Sequence, residues 1–314
     1  MTTYIARRIL QMIPTILVVM GIVFVVFRLI PGDPVQLLLG ADPNPEAIAA
    51  LQQKFGLDRP LYEQFARWVF AAFRGDLGMS FARDQPVLSI ILERFPATAQ
   101  ITVFAMILAT LVGVPLGIVS ALKQDTWIDL AVRGVSLLGF SMPRYWLAIL
   151  LVIVFSLNLG WIPPAGYVSF REDPWANLHY AILPTVSLSM HIAAEQMRFI
   201  RSSMLDVIQQ DFVRTARSKG VPERSVIVKH ALKNAFIPFL TIFGLQLGLV
   251  LGGSVIVEYI TAWPGIGWLT LQAINQRDYA VVQGVVLFSA IAFLVINLIV
   301  DVLYTVLDPR IQYA

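Results

Sequence analysis

The feature that most constrains this chain is a series of long runs in which nearly every residue is apolar. Residues 99–122, for example, include no charged side chain. About 20 apolar residues are enough for a helix to cross the hydrocarbon core of a bilayer. The composition agrees, because 57% of the 314 residues are hydrophobic and only 14% are charged, whereas a soluble domain carries about 25%. Much of the surface is therefore expected to contact membrane lipid.

Six candidate spans follow from these runs. They cover residues 9–30, 99–122, 131–157, 180–198, 236–257 and 281–302. Because a span has to satisfy its backbone groups internally, the predicted fold is an all-α membrane protein with six transmembrane helices. Residues 31–95 are richer in charges and proline and are predicted to form a helical extracytoplasmic insertion between the first two helices. The remaining divisions are an N-terminus with the first helix (1–30), a five-helix core (96–307, with a loop at 198–235) and a C-terminal tail (308–314).

The orientation follows from lysine and arginine in the short loops, which are enriched on the cytoplasmic side of a membrane. With the N-terminus inside, the short outer loops hold only Arg171 and Arg277. The inner side then holds Arg7, Arg8, Lys123, Arg198, Arg201, Arg214, Arg217, Lys219, Arg224, Lys229, Lys233 and Arg310. Both termini are therefore expected in the cytoplasm. These bases lie on membrane loops, so nucleic acid is not an expected partner.

The loop between the fourth and fifth predicted spans has the pattern of two short helices. Residues 211–219 can form a helix that Gly220 ends, since glycine adopts the left-handed conformation common at helix C-termini. Pro222 then suits the start of a second helix, where its missing N–H costs nothing. The pattern alone leaves two readings open, a positively charged anchor or a docking element.

The same segment resembles the EAA loop of ABC importer permeases, in the variant found in the dipeptide, oligopeptide and nickel permease family. That family has a stretch close to Asp-Tyr-Val-Arg-Thr-Ala-Arg-Ala-Lys-Gly, and residues 211–220 here differ from it at two positions. The resemblance implies that this segment docks on a cytoplasmic ATPase. The implied contact residues are Asp211, Phe212, Val213, Arg214, Thr215, Ala216, Arg217, Ser218, Lys219 and Gly220.

Other parts of the chain are similar to the same family, so the resemblance covers nearly its whole length. They are Pro31-Gly32-Asp33-Pro34, Phe55-Gly56-Leu57-Asp58, Gly75-Asp76-Leu77-Gly78, Trp263-Pro264-Gly265-Ile266-Gly267, Arg277-Asp278-Tyr279 and Asp308-Pro309-Arg310-Ile311. Trp268 and Ala280 depart from it, where the family often has a base and a proline. Residues implied to face a binding protein are Glu258, Trp263, Pro264, Gly265, Gly267 and Asp278.

The resemblance implies a type I ABC importer permease in the inner membrane of a prokaryote. Such a chain forms half of a translocation path for peptides, with glutathione, opines or nickel as alternative cargoes. The implied partners are a homologous second permease subunit, two cytoplasmic ATPase subunits and an extracytoplasmic solute-binding protein.

The sequence offers little for catalysis. It contains no cysteine and three scattered histidines at 179, 191 and 230, so a metal site is not expected. No Gly-Lys dipeptide occurs, which excludes a phosphate-binding loop of the Walker type. ATP and Mg²⁺ are therefore expected on partner subunits, and the chain is expected not to be an enzyme.

Pro143, Arg144 and Glu195 are candidates for the translocation path. An arginine within a span is costly unless it faces a cavity or a partner. Arg144 can either meet a carboxylate of the cargo or form a structural pair with Glu195, and the sequence leaves both open. A secondary transporter driven by an ion gradient is a remote alternative, since the chain shows no convincing internal repeat and few buried acids.

Overall fold

The computed structural model describes residues 2–29, 46, 53 and 58–307. Most of the predicted insertion, including the Pro31–Pro34 and Phe55–Leu57 motifs, lies outside the described residues, as does the predicted tail at 308–314. Over the described residues the chain is helical, with no β-strand and one isolated β-bridge between Met79 and Pro86.

The helices are numbered here in chain order. They are α1 (Thr2–Leu29), α2 (Leu61–Phe73), α3 (Val87–Leu122), α4 (Trp127–Ser141), α5 (Arg144–Leu151), α6 (Pro174–Ile208), α7 (Asp211–Ser218), α8 (Glu223–Leu251), α9 (Val255–Ile260), α10 (Ile266–Asn275) and α11 (Tyr279–Leu307). Two segments are π-helical: Val152–Asn158, which continues α5, and Val226–Leu232, within α8. Such wide turns are often found near functional sites.

The described helices do not establish six spans. Four segments are long and apolar enough to cross a bilayer: Ile5–Leu29, α3, α8 and Tyr279–Leu303. A fifth exists if α4 and the segment Arg144–Asn158, which meet at a 98° bend, count as one span. The fourth predicted span lies within α6, which is helical over 35 residues but is not among these candidates.

Three predicted boundaries differ from the structure. The third span is not continuous, because Pro143 lacks an N–H and restricts the residue before it, so the chain bends there. The fifth span ends at Leu251 rather than residue 257, followed by Gly253 at φ +103°. In addition, α3 already begins at Val87, so the last residues of the predicted insertion belong to this helix.

The centre of the fold is the long contact between α3 and α6. Gly113 and Gly117 allow the two backbones to approach closely, and a Cβ on Gly117 would lie 2.7 Å from the carbonyl oxygen of Met197. Small residues spaced four apart in this way let two helices pack closely together. The structure shows that this contact lies within the chain.

The bundle has two ends, defined by the connections they carry. The Gly220 end contains the junctions α3–α4, α6–α7 and α7–α8. The opposite end contains the start of α3, the start of α6 and the short helices α9 and α10. α1 lies against α11, joined by an ion pair between Arg8 Nε and Asp301 Oδ2 at 3.2 Å.

Candidate functional site

At the Gly220 end, α7 is amphipathic. Val213 and Ala216 are buried, while the other eight of the ten residues predicted to contact an ATPase are exposed. Phe212 is the large apolar side chain among them and is 39% exposed. The short helix therefore presents a mixed charged and apolar surface to the outside of the bundle.

The end of α7 is fixed by backbone hydrogen bonds. Gly220 has φ +74° and its N–H donates to Arg217 O at 2.9 Å, while the Val221 N–H donates to Ala216 O at 3.2 Å. This pair of bonds is the Schellman arrangement, which favours glycine at the left-handed position. The prediction of a glycine stop at this residue is confirmed by its conformation.

A salt bridge joins the two sides of the Gly220 turn. Arg217 Nη2 lies 2.6 Å from Glu223 Oε1, and Arg217 Nε lies 3.1 Å from Oε2, so the pair is bidentate. The hydrogen bond that Arg217 donates to the Glu223 carboxylate raises the pKa of Arg217 above its ordinary value. The contact links α7 to the first residue of α8 at the surface.

The buried face of α7 rests on the core helices. Val213 and Ala216 pack in one cluster with Met204 of α6 and Val114 of α3, and Val226 of α8 belongs to the same cluster. The buried face of α7 therefore belongs to the same apolar cluster as residues of α3, α6 and α8.

A buried carboxylate at the same end was missed by the sequence analysis. Asp129 is fully buried and accepts from Arg201 Nε at 2.8 Å and Nη2 at 2.9 Å. It also accepts from Ser120 Oγ at 2.5 Å and from the Asp125 N–H at 3.1 Å. Arg133 Nη2 lies 3.4 Å away. The cluster ties α3, α4 and α6 together.

The path candidates meet at a cavity between α5, α6 and α8. Pro143 precedes the first residue of α5, Arg144, which lines the cavity together with Glu195 of α6 and Gln246 of α8. Glu195 Oε2 accepts a hydrogen bond from Gln246 Nε2 at 2.8 Å. Among the described residues no ion pair within 4 Å joins Arg144 to Glu195, so a direct structural pair is not formed.

At the opposite end, Glu258 caps α10 from inside the fold. Its carboxylate accepts from the Trp268 N–H at 3.0 Å, from the Gly267 N–H, and from Thr98 Oγ1 at 2.9 Å. Thr98 Oγ1 in turn accepts from the Ile266 N–H at 2.8 Å. The first free N–H groups of α10 are thus satisfied by side chains that lie on α9 and α3.

Close packing surrounds this cap. Trp263 is fully buried and donates its indole N–H to Ala97 O at 2.8 Å. A Cβ on Gly265 would lie 2.5 Å from Glu258 Oε2 and 2.2 Å from Thr98 Oγ1. These residues hold the α9–α10 turn against the start of α3.

Asp278 performs a similar role before α11. Its Oδ2 accepts from Ser80 Oγ at 2.5 Å and from the Ala82 N–H at 3.2 Å, and its Oδ1 accepts from the Val281 N–H at 3.3 Å. An aspartate just before an apolar run is a recognisable N-cap signal.

Of the six residues predicted to face a binding protein, Glu258, Trp263, Gly265, Gly267 and Asp278 are buried in this structure, and Pro264 is half-buried. Their side chains support the loop from inside. Contact between this end of the bundle and a binding protein stays a prediction.

The described residues contain no group of three His, Asp or Glu side chains arranged for a metal ion. The ring of His191 stacks on Phe140 with centroids 5.3 Å apart. This packing contact accounts for the position of the histidine.

Comparison with known proteins identifies relatives along the whole chain. Residues 113–313 match the family model described as binding-protein-dependent transport system inner membrane component, and residues 1–102 match the model of its N-terminal part. A Brucella suis biovar 1 protein named as a peptide transport system permease protein is 44% identical, with 100% of both chains covered. A Salmonella paratyphi A protein named glutathione transport system permease protein GsiC is 42% identical, with 100% of both chains covered.

Among solved structures, the chain is similar to the MetNI methionine ABC transporter in an inward-facing conformation. The TM-score is 0.57 at 16% identity, over 70% of this chain and 97% of the other. This likeness supports the type I ABC permease fold.

Proposed function

Since the chain belongs to the family of binding-protein-dependent transport system inner membrane components and is a permease subunit of an ABC importer, we propose that it carries peptides. We also propose that the ATPase subunits drive transport by acting on α7. It is a multi-pass protein of the inner membrane. The proposed orientation places the Gly220 end in the cytoplasm, because most bases of the short loops lie there and only Arg171 and Arg277 lie in short loops at the other end.

The proposed complex has a second permease subunit, two ATPase subunits that hold ATP and Mg²⁺, and an external solute-binding protein. The peptide cargo is supported by the relative named for peptide transport at 44% identity. A relative named for glutathione transport, at 42%, favours glutathione as the second candidate. Glutathione is itself a tripeptide, so the two candidates share one chemical class.

The observation that carries the proposed coupling is the construction of α7. Its exposed face offers Phe212, Arg214 and Lys219, while its buried face is embedded among α3, α6 and α8. A surface that is both free on one side and rigidly connected to the spans on the other suits the transfer of ATPase motion.

The first prediction concerns the exposed charge of α7. In the complex reconstituted in proteoliposomes, Arg214→Glu is expected to lower uptake per ATP hydrolysed by about tenfold. The reason is that a reversed charge at a docking surface is repelled by the partner group that met the original charge. Uptake and phosphate release are measured in the same vesicles.

The matched control is Arg171→Glu, an exposed arginine at the opposite end, which is expected to leave the ratio unchanged. Normal uptake per ATP in Arg214→Glu would contradict the role of α7.

A further inference from the structure

The cavity between α5, α6 and α8 lies deep within the bundle. Glu195 is ~31 Å along α6 from Pro174 and ~20 Å from Ile208, at 1.5 Å per residue. Gln246 is ~34 Å along α8 from Glu223 by the same measure. The polar side chains of this cavity are therefore far from the Gly220 end and are surrounded by apolar helix surface.

The guanidinium of Arg144 has no protein partner in the described part of the chain: no hydrogen bond or ion pair within 4 Å reaches it. It is only half-buried and faces the cavity. A charged arginine inside an apolar span is costly and is usually paired or directed at a water-filled cavity. The free guanidinium is thus available to an anionic group that enters the cavity.

Glu195, in contrast, is held in place by a chain of amides. Gln246 Nε2 donates to Glu195 Oε2 at 2.8 Å, and Gln196 Nε2 donates to Gln246 Oε1 at 2.9 Å. Gln196 is fully buried, and no residue in the described part of the chain forms a hydrogen bond with its Oε1. This chain of amides holds the Glu195 carboxylate at the cavity, where no ion pair within 4 Å joins it to Arg144 among the described residues.

We propose that this cavity binds the terminal carboxylate of the peptide in transit. Arg144 contacts that carboxylate, and the negative charge of Glu195 weakens the attraction between them. The rest of the lining is apolar: Ile192, Ile242, Leu245, Leu249 and Val250. The volume of about 140 Å³ is below the several hundred Å³ of an enclosing ligand pocket. The cavity therefore contacts one end of the peptide and does not enclose it.

The opposing charge has a physical purpose in a transport path. A site along a path has to attract the solute strongly enough to admit it and weakly enough to release it. Arg144 alone in a dry cavity would hold a carboxylate tightly, because Coulomb energies grow as the dielectric constant falls. A fixed negative charge in the same cavity reduces that attraction. The inference rests on the proposed peptide cargo.

The test uses two probes that differ only at the C-terminus, trialanine and trialanine amide. Uptake of each is measured in proteoliposomes that contain the full complex, and the ratio of the acid rate to the amide rate is compared between variants. Because every variant shares the same solute-binding protein, the preference of that protein cancels.

Arg144→Gln is expected to lower the ratio of acid to amide uptake about tenfold, equal to 1.4 kcal/mol. Glu195→Gln is expected to raise the ratio, because it removes the opposing charge while Arg144 remains. Arg144→Lys is expected to keep most of the wild-type ratio. If Arg144 and Glu195 were merely structural, Arg144→Gln and Glu195→Gln would not be expected to change the ratio of acid to amide uptake in opposite directions.

The matched control is Arg28→Gln. This arginine also lies in a span, but its guanidinium lies 5.1 Å from the centre of the Phe24 ring and donates to Gln64. The ratio is expected to stay at the wild-type value in this variant.

The outcomes separate the two proposals. If wild type imports neither probe, the peptide cargo is wrong and this inference falls with it. If wild type imports both but the ratio is the same in Arg144→Gln and Glu195→Gln, the cargo stands and the carboxylate site is overturned. If Arg144→Gln fails to assemble, Glu195→Gln decides alone, and an unchanged ratio overturns the site.

Discussion

At the scale of single residues, Glu258 is a buried carboxyl group at the end of the bundle opposite Gly220, where it accepts hydrogen bonds from Thr98 and from the Trp268 N–H. Burial raises the pKa of its carboxyl to about 7, although hydrogen bonds from Trp268, Thr98 and Gly267 act in the opposite direction. The side chain lies in α9, outside the candidate spans. A group with this pKa changes charge within the ordinary pH range.

The sign of the pH effect follows from linkage. An unfolded glutamate titrates near pH 4.3, so the folded state holds the proton more tightly than the unfolded state. Its contribution to stability is complete below about pH 4.3 and is lost as pH rises through about 7. The wild-type chain is therefore expected to lose thermal stability between pH 5 and pH 8.

Glu258→Gln is predicted to flatten this dependence, because the amide keeps an acceptor for the α10 N–H groups but does not titrate. The measurement is the melting temperature in detergent at a series of pH values. Glu172→Gln, at an exposed glutamate of the same end, is expected to retain the wild-type slope. If the melting temperatures of wild type and Glu258→Gln changed with pH in parallel, Glu258 would not be the group that causes the pH dependence.

At the scale of helices, Asp129 joins α3, α4 and α6 through one buried carboxylate. Arg201 of α6 and Ser120 of α3 both donate to this one carboxylate of α4. Removing one partner of a buried ion pair leaves an uncompensated charge and costs more than the pair contributes. Loss of any one member of this cluster is thus expected to weaken the attachment of α4 to α3 and α6.

Asp129→Ala is predicted to destabilise the folded chain by about 3 kcal/mol. The melting temperature in detergent is expected to fall clearly, and trypsin is expected to cleave more readily near Arg133. Asp206→Ala, at an exposed aspartate of α6, is the control and is expected to leave both measurements unchanged. An unaltered melting temperature in Asp129→Ala would mean that the other contacts of α4, including the hydrogen bond from Ser136 Oγ to Ala194 O, hold the helix without the ion pair.

At the scale of the whole molecule, local sequence patterns predicted the features that depend on neighbouring residues, namely the membrane-spanning helices and the end of α7. The apolar runs indicated an all-α membrane protein, and the glycine at 220 indicated the end of α7. The type I importer permease class was implied by resemblance and is supported by the family match.

Features that depend on distant contacts could not be predicted in the same way. Nothing local pairs Asp129 with Arg201 or Glu258 with Thr98, because these partners lie 72 and 160 residues apart in sequence. Likewise, the length of α3, which begins at Val87, depends on packing that composition does not reveal.

Docking of the Gly220 end on an ATPase is tested most directly by a single cross-linking measurement. The chain has no cysteine, so Ser218→Cys introduces one labelled position on the exposed face of α7. A photoreactive maleimide at this cysteine is predicted to link the chain to the ATPase subunit, whereas Asn275→Cys at the opposite end is predicted to give no such product. Equal products from both positions, or none from Ser218→Cys in an assembled complex that hydrolyses ATP, would contradict the account.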